Sequence, residues 1–318
     1  MTKYSPIDSS RIKTYSLAGR KSKVSVSDCA RPGEPGMSIR EYLDRLPNFL
    51  AASDLREVIA RVAQAVDLKR PVILALGAHV IKVGLSPLVI DLMERGIVSL
   101  VALNGAGIIH DFELAFCGFT SEDVESVIGD GKFGMARETA EMLNASIREG
   151  ADKNIGLGLA VGEMIEGRQL PHRNVSILAA GVRQNIPVTV HVALGTDIIH
   201  MHPEASGEAI GKASLLDFQV YASAVSDLAG GVYFNVGSAV ILPEIFLKAI
   251  SLARNLGHDV SDFTTINMDF IRHYRPQINV VGRPVKGVGR GITLIGHHEI
   301  MFPLLCAGIV DALGGRGA

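Results

Sequence analysis

The chain has 318 residues, 47% of them apolar and 20% charged, with a formal net charge of −2. That length and balance suit one large α/β domain or two modest ones, and they exclude a disordered chain, a nucleic-acid-binding basic stripe and a polybasic membrane patch. Three cysteines, Cys29, Cys117 and Cys306, stand far apart without a CxxC pair, which argues against a disulfide framework or a thiolate zinc site and suits a reducing compartment. The opening MTKYSPIDSSRIKTYS lacks the apolar run of a signal peptide, and no apolar stretch is long enough to span a membrane. A cytoplasmic location is expected.

Residues 1–37 are rich in Ser, Gly, Pro and Lys, and read as an extended arm lying on the body or on a neighbouring subunit. Regular patterning begins at Ser38 and predicts one domain over 38–318. Asp54 and Glu57 have the spacing of a capping box, followed by a helical face of Leu55, Val58, Ile59, Val62, Ala63 and Val66. Residues 72–76 form a short apolar run, as a strand buried on both sides requires. Ser86 and Pro87 suit the N-cap and first position of a helix ending near Gly96. A strand over 97–103 then breaks at Asn104-Gly-Ala-Gly107 before a helix over 108–116.

Phe133, Ala136, Ala140, Leu143 and Ile147 share a helical face, and helices are expected over 155–165 and 175–185. Strands are expected over 188–193, 231–236, 264–270 and 292–295, with helices over 215–228, 243–256 and 299–313. The alternation predicts a doubly wound, mostly parallel sheet with helices on both faces.

In such sheets ligands sit beyond the carboxyl ends of the strands. Small or polar residues are expected there at Gly77-Ala78-His79, at Asn104 to Asp111, at Gly195-Thr196-Asp197 and at Gly237-Ser238-Ala239. His110-Asp111 reads as a general base with its orienting partner, or as a helix-opening acid beside a half-exposed histidine. His191, Asp197, His200 and His202 could line the cleft as a hydrogen-bonded loop, and His200-x-His202 could contribute two ligands to a metal. Arg283, Lys286 and Arg290 suit either an anion clamp or a solvated glycine-rich hairpin. Cys117 and Cys306 read as buried, inert thiols, and Glu163 and Glu166 as helix surface.

Several segments carry a family resemblance. Pro71–Phe116 resembles the first nucleotide-binding unit of the deoxyhypusine synthase family, and Gly230–Ala239 its later glycine-rich turn. Arg275-Pro276 resembles the family's Arg-Pro element, and Phe302-Pro-Leu-Leu305 its C-terminal Phe-Pro-Leu-Leu. The order of these elements matches over residues 38–313. The resemblance implies an NAD-binding, Rossmann-like fold, assembled as a homotetramer with active sites at subunit interfaces. It places NAD contacts on Ala78, His79, Gly105, Ala106, Gly107, Asp197, Gly237, Ser238, His297 and His298. Glycines that admit a pyrophosphate to a helix N-terminus, and a carboxylate for ribose hydroxyls, fit that assignment, although the GxGxxG spacing is missing.

The departures bear on function. A family lysine shortly after the Arg-Pro element forms an imine with an aminobutyl group from spermidine. Arg283 stands near that point here, and a guanidinium stays protonated and cannot form an imine. Lys286 follows three residues on. The family's histidine after the glycine turn is replaced near Leu242-Pro243, and a family carboxylate aligns near His110. The expected function is a deoxyhypusine synthase-like, NAD-dependent enzyme with transferase or oxidoreductase chemistry on a small non-polyamine substrate. His110, or a histidine of 191–202, would move a proton, and Arg283 or Lys286 would hold an anionic group. Three alternatives stand beside it: aminobutyl transfer of the deoxyhypusine or homospermidine synthase type through Lys286, a metal-dependent enzyme using His200 and His202, and a non-catalytic NAD sensor.

Overall fold

The structure is a computed structural model that describes residues 3–314. Six strands form one parallel sheet: β1 (Val72–Leu76), β2 (Leu100–Asn104), β3 (Val188–His191), β4 (Val232–Val236), β5 (Phe263–Asp269) and β6 (Gly289–Ile295). Their order is β3-β2-β1-β4-β5-β6, so the direction of winding reverses between β1 and β4. This is the doubly wound, Rossmann-like arrangement that the alternation predicts.

The continuous apolar strands have a direct physical reason. Along β1, Val72, Leu74 and Leu76 enter the core on one face of the sheet, while Ile73 and Ala75 enter the core on the other. In β2, Val101 and Leu103 pair with the first core and Leu100 and Ala102 with the second. Each such side chain, if Val or larger, contributes roughly 1.5–3 kcal/mol of transfer free energy. A polar residue on either face would forfeit that.

The helices are α1 (Ile39–Arg45), α2 (Leu50–Asp67), α3 (His79–Lys82), α4 (Ser86–Glu94), α5 (Gly105–Cys117), α6 (Val124–Val127), α7 (Arg137–Asp152), α8 (Leu157–Gly167), α9 (Ile177–Gln184), α10 (Gly207–Ser226), α11 (Ile241–Asn255), α12 (Tyr274–Pro276) and α13 (His298–Gly314). A π turn, Gln277–Gly282, follows α12. The first core takes its helical residues from α1 to α5, α7, α8, α9, the start of α10 and α13, and the second from the later part of α10 and from α11. Among the described residues no helix is long and apolar enough to cross a membrane.

Three local expectations shift. The capping box falls on Ser38 and Glu41, where Ser38 Oγ accepts from the Glu41 N–H. Helix α2 starts at Leu50, which puts Asp54 and Glu57 inside it, facing Arg290 at 3.7 and 3.2 Å. Ser86 is the first residue of α4 rather than its cap, with Pro87 next. Residues 3–27 are exposed throughout, with a short 3-10 turn at Leu17–Gly19, and do not bury side chains on their own body. The arm is tethered where Asn48 N donates to Asp28 O and Arg31 N to Arg45 O.

Candidate functional site

The strand ends meet most closely at the reversal point. Gly77 N donates to Val236 O at 2.8 Å, and a Cβ at Gly77 would stand 2.1 Å from Gly237 O. Only glycine lets the β1 and β4 turns approach this closely. Gly237 itself has φ +70 and packs under the His298 ring. Beside it lie four rings from three segments. His79 is 5.8 Å from His298 and 6.1 Å from Phe270, and Phe270 stacks on His297 with centroids 6.2 Å apart. His298 is buried and its Nδ1 has no hydrogen-bond partner, whereas His79 and His297 are exposed. Burial pulls the His298 imidazole below its ordinary value.

At the next strand end, Asn104 Oδ1 accepts from Gly107 N and caps α5, so the glycines form the helix's first turn instead of a break before it. A Cβ at Gly105 would stand 1.9 Å from Asp197 Oδ2. The bare glycine therefore lets the Asp197 carboxylate lie against the helix start. Asp197 is buried with Oδ2 making no hydrogen bond, 3.9 Å from His200 Nε2, and burial raises its carboxyl above the usual range against the opposing pull of His200. Of the expected cofactor positions, Ala78, His79, Gly237, Ser238, His297 and His298 gather around the reversal point, while Gly105, Ala106, Gly107 and Asp197 form an adjoining group.

A cavity of about 650 Å³ opens beside that second group, between α5, residues 118–124, the start of α7 and residues 196–198. Its polar lining includes Lys82, His110, Glu113, Thr120, Thr139 and Asp197, and Ile109, Phe116, Phe119, Phe133 and Ile198 supply apolar wall. His110 Nδ1 lies 2.7 Å from Thr120 Oγ1, which donates to Glu113 Oε2 at 2.5 Å; Thr139 Oγ1 donates to Glu113 Oε1 at 3.1 Å. Burial, reinforced by the Lys82 ammonium, pushes the His110 imidazole down to about 4. His110 is therefore neutral at pH 7.

Asp111 does not join it. Successive residues on a helix are turned by about 100°, so Asp111 points away from the cavity into the core. It is fully buried and accepts from Ser176 Oγ, from Ile177 N at 2.7 Å and from Leu178 N at 3.4 Å, which satisfies the N-terminus of α9. Arg283 and Lys286 do not reach the cavity either. Arg283 Nη1 donates to Asn279 Oδ1 at 3.0 Å, and Asn279 in turn donates to Glu244, in a polar chain against α11. Lys286 lies three residues before β6, whose first residue Gly289 pairs with the first residue of β5. That is the amino edge of the sheet, opposite the cleft.

The histidines of 191–202 also separate. His191 is buried against Tyr221, and desolvation pushes it down to about 3. His200 Nδ1 accepts from Gly195 N and Asp197 N, and His202 Nε2 bonds the Gly134 carbonyl oxygen at 2.8 Å. Among the described residues no three potential ligands converge on a metal position. Cys306 is buried, but Cys117 is half-buried and lines the cavity. Sequence reasoning missed Lys82, Glu113, Thr120 and Thr139. Only Glu113, three residues after His110 on the same helix, carried a readable signal.

No family model and no curated protein matches the chain. Solved structures do. A deoxyhypusine synthase candidate from Entamoeba histolytica superposes with a TM-score of 0.53 at 13% identity, covering 90% of this chain and 96% of its own. A conserved LOR/SDH protein candidate from Methanococcus maripaludis S2 gives 0.50 at 14% identity over 81% of this chain and 69% of its own. AgrE, in a ternary complex with ornithine and NAD+, gives 0.54 at 12% identity over 82% of this chain, which spans only 33% of the AgrE chain. At these identities the likeness establishes the fold: the chain shares its Rossmann-like architecture with a deoxyhypusine synthase candidate and with an NAD+-binding protein.

Proposed function

We propose that this is a deoxyhypusine synthase-like, NAD-binding enzyme with an altered substrate site, which takes a hydride and a proton from a small molecule held in the cavity. The observation that carries this reading is that Ala106 and Asp197, two expected NAD contacts, also line the cavity bordered by His110. The residues fit a dinucleotide. Gly105 brings the Asp197 carboxylate against the start of α5, and its Oδ2, which makes no hydrogen bond, suits a ribose hydroxyl. Ala78, Gly237 and Ser238 offer a small-residue floor, and His79, His297 and His298 with Phe270 offer flat rings. AgrE in its complex with NAD+ and the deoxyhypusine synthase candidate share the fold, which supports NAD as the ligand.

Bound NAD would supply a hydride acceptor. The chain's own residues handle the rest. Neutral His110 accepts the proton from a substrate hydroxyl or amine. Lys82 supplies the positive charge for an anionic group, the role the sequence suggested for Arg283 or Lys286. The aromatic wall excludes water from the reacting carbon. Assembly into a homotetramer belongs to the same proposal, supported by the exposed arm residues Tyr4, Ile7, Tyr15 and Val26, and so does a cytoplasmic location.

Calorimetric titration of nucleotide-stripped protein with NAD, with and without spermidine, tests the reading. Micromolar binding indifferent to spermidine is expected, and absence of NAD binding overturns it. A second reading rests on Lys82, an amine that lines the cavity as Lys286 does not. If aminobutyl transfer from spermidine occurs, borohydride in the presence of spermidine and NAD will trap an adduct on Lys82.

A further inference from the structure

We propose that Thr120 and Glu113 are positioning residues that fix His110 in the tautomer with its hydrogen on Nδ1 and a bare lone pair on Nε2. This deepens the reading of His110 as proton acceptor and rests on it.

The hydrogen count sets the direction. A threonine hydroxyl has one hydrogen, and a carboxylate accepts only. Thr120 Oγ1 lies 2.5 Å from Glu113 Oε2, so its hydrogen goes to the carboxylate. What remains on Oγ1 for His110 Nδ1, 2.7 Å away, is a lone pair. Nδ1 must then be the donor. A neutral imidazole has one ring hydrogen, so Nε2 is left as an acceptor, and it has no hydrogen-bond partner among the described residues. The imidazole is neutral because burial and Lys82 both oppose its charged form.

Three segments converge to build this arrangement. His110 and Glu113 stand one turn apart on α5. Gly118, with φ +81, ends that helix and turns the chain so that Thr120 lies over Glu113; a Cβ there would meet the His172 ring at 3.0 Å. Thr139, in the first turn of α7 and buried, holds the second carboxylate oxygen. With both oxygens held, Glu113 cannot swing away from Thr120. A loop clasp alone would need no histidine at its end.

The test reads the ring hydrogen directly. In protein carrying ¹⁵N-histidine, with His110 assigned by loss of its signals in His110→Asn, the wild type at pH 7 should show a pyrrole-type Nδ1 and a pyridine-type Nε2. Thr120→Val and Glu113→Met should each move more than half of the ring hydrogen to Nε2, its usual place in a free imidazole. Thr120→Ser should restore the wild-type pattern, and thermal unfolding of each variant will confirm that it is folded. A wild type protonated on Nε2, an unchanged pattern in Thr120→Val or Glu113→Met, or a Thr120→Ser that behaves like Thr120→Val overturns the proposal. NAD titration of the same samples keeps the two readings apart: lost NAD binding with an Nδ1–H wild type removes the cofactor and leaves the relay.

Discussion

The two halves of the sheet satisfy their buried polar groups in different ways. On the β1–β3 side, ionisable carboxylates do it: Asp111 holds the start of α9, and Asp217 on α10 accepts from Gly158 N at 2.9 Å and Val190 N at 2.8 Å, joining the start of α8 to β3. On the β4–β6 side neutral groups do it, with Asn235 donating to Asn267 Oδ1 across adjacent strands and Thr265 donating to the Val280 carbonyl. The difference follows from geometry. A helix N-terminus presents several free N–H groups at one point, which a two-oxygen acceptor can satisfy together, whereas a strand interior has single vacancies. The interior carboxylates of the first half consequently tie it to pH, whereas the carboxylate and imidazole buried on the second side, Asp269 and His298, stand at the strand ends.

The largest expected effect tests that link. Burial pushes Asp217 up to about 7 and Asp111 up to about 6, against about 3.8 for an unfolded aspartate. A raised folded-state value gives stability that is complete below pH ~4 and is lost as pH rises through 6 and 7. For Asp217 alone the loss is on the order of 4 kcal/mol. Buried His191 and His110, pushed down to about 3 and about 4, act in the opposite sense below about pH 6.5, so the Asp217 contribution is read as the difference between wild type and Asp217→Asn in denaturant unfolding from pH 4 to 8. Asp217→Asn should gain on the wild type as pH rises, because Oδ2 accepts both of those bonds and an amide oxygen can do the same. Asp111 uses both of its oxygens, so Asn cannot replace it on equal terms. A difference between wild type and Asp217→Asn that does not change with pH would break the comparison.

Between the halves stands Gly77, and a smaller effect is expected there. Adding one methyl puts a carbon against the Gly237 backbone, which cannot yield like the tip of a flexible side chain. Gly77→Ala should cost about 1–3 kcal/mol in denaturant unfolding, independent of pH. NAD affinity should fall with it, since the turns of both halves shift together. Wild-type stability would mean that the halves are less tightly joined than this approach implies.

Strands β1 and β2 were legible because each side chain is buried on one face or the other and their apolar runs record that burial, whereas β6 opens on the exposed Gly289 and Arg290, so only 292–295 read as strand. Helix starts were less legible. Helix α10 begins at Gly207 under a Ser206 cap, a stretch whose glycines and polar residues read as loop. The gathering of small residues at the strand ends was legible, since the glycines Gly77 and Gly237 end apolar runs and their backbones meet. The His110 relay was not, because Thr120 and Thr139 come from separate segments and nothing local announces their meeting. Asp111 misled for a similar reason. Whether a helical residue faces cleft or core depends on the phase of the packed helix, and adjacent residues such as His110 and Asp111 can end on opposite sides.

The smallest expected effect concerns Lys286, where sequence proximity to the Arg-Pro element and position in the fold disagree. The chain leaves β5 at the carboxyl edge, descends through α12 and the π turn, and reaches residues 283–288 only at the amino edge. The Arg254 guanidinium, in the last turn of α11, donates to Pro284 O at 3.0 Å there. Lys286 is exposed and remote from both His110 and the ring cluster. Lys286→Met should change stability by no more than about 0.5 kcal/mol. It should also leave NAD affinity unaltered in the same calorimetric titration, while Lys82→Met alters the electrostatics around His110 and raises its titration midpoint. The sign follows from removal of a nearby positive charge that disfavours imidazolium. If Lys286→Met weakened NAD binding instead, the amino edge of one copy would have to reach the strand ends of another, and the division of labour between the two edges would no longer hold within a single chain.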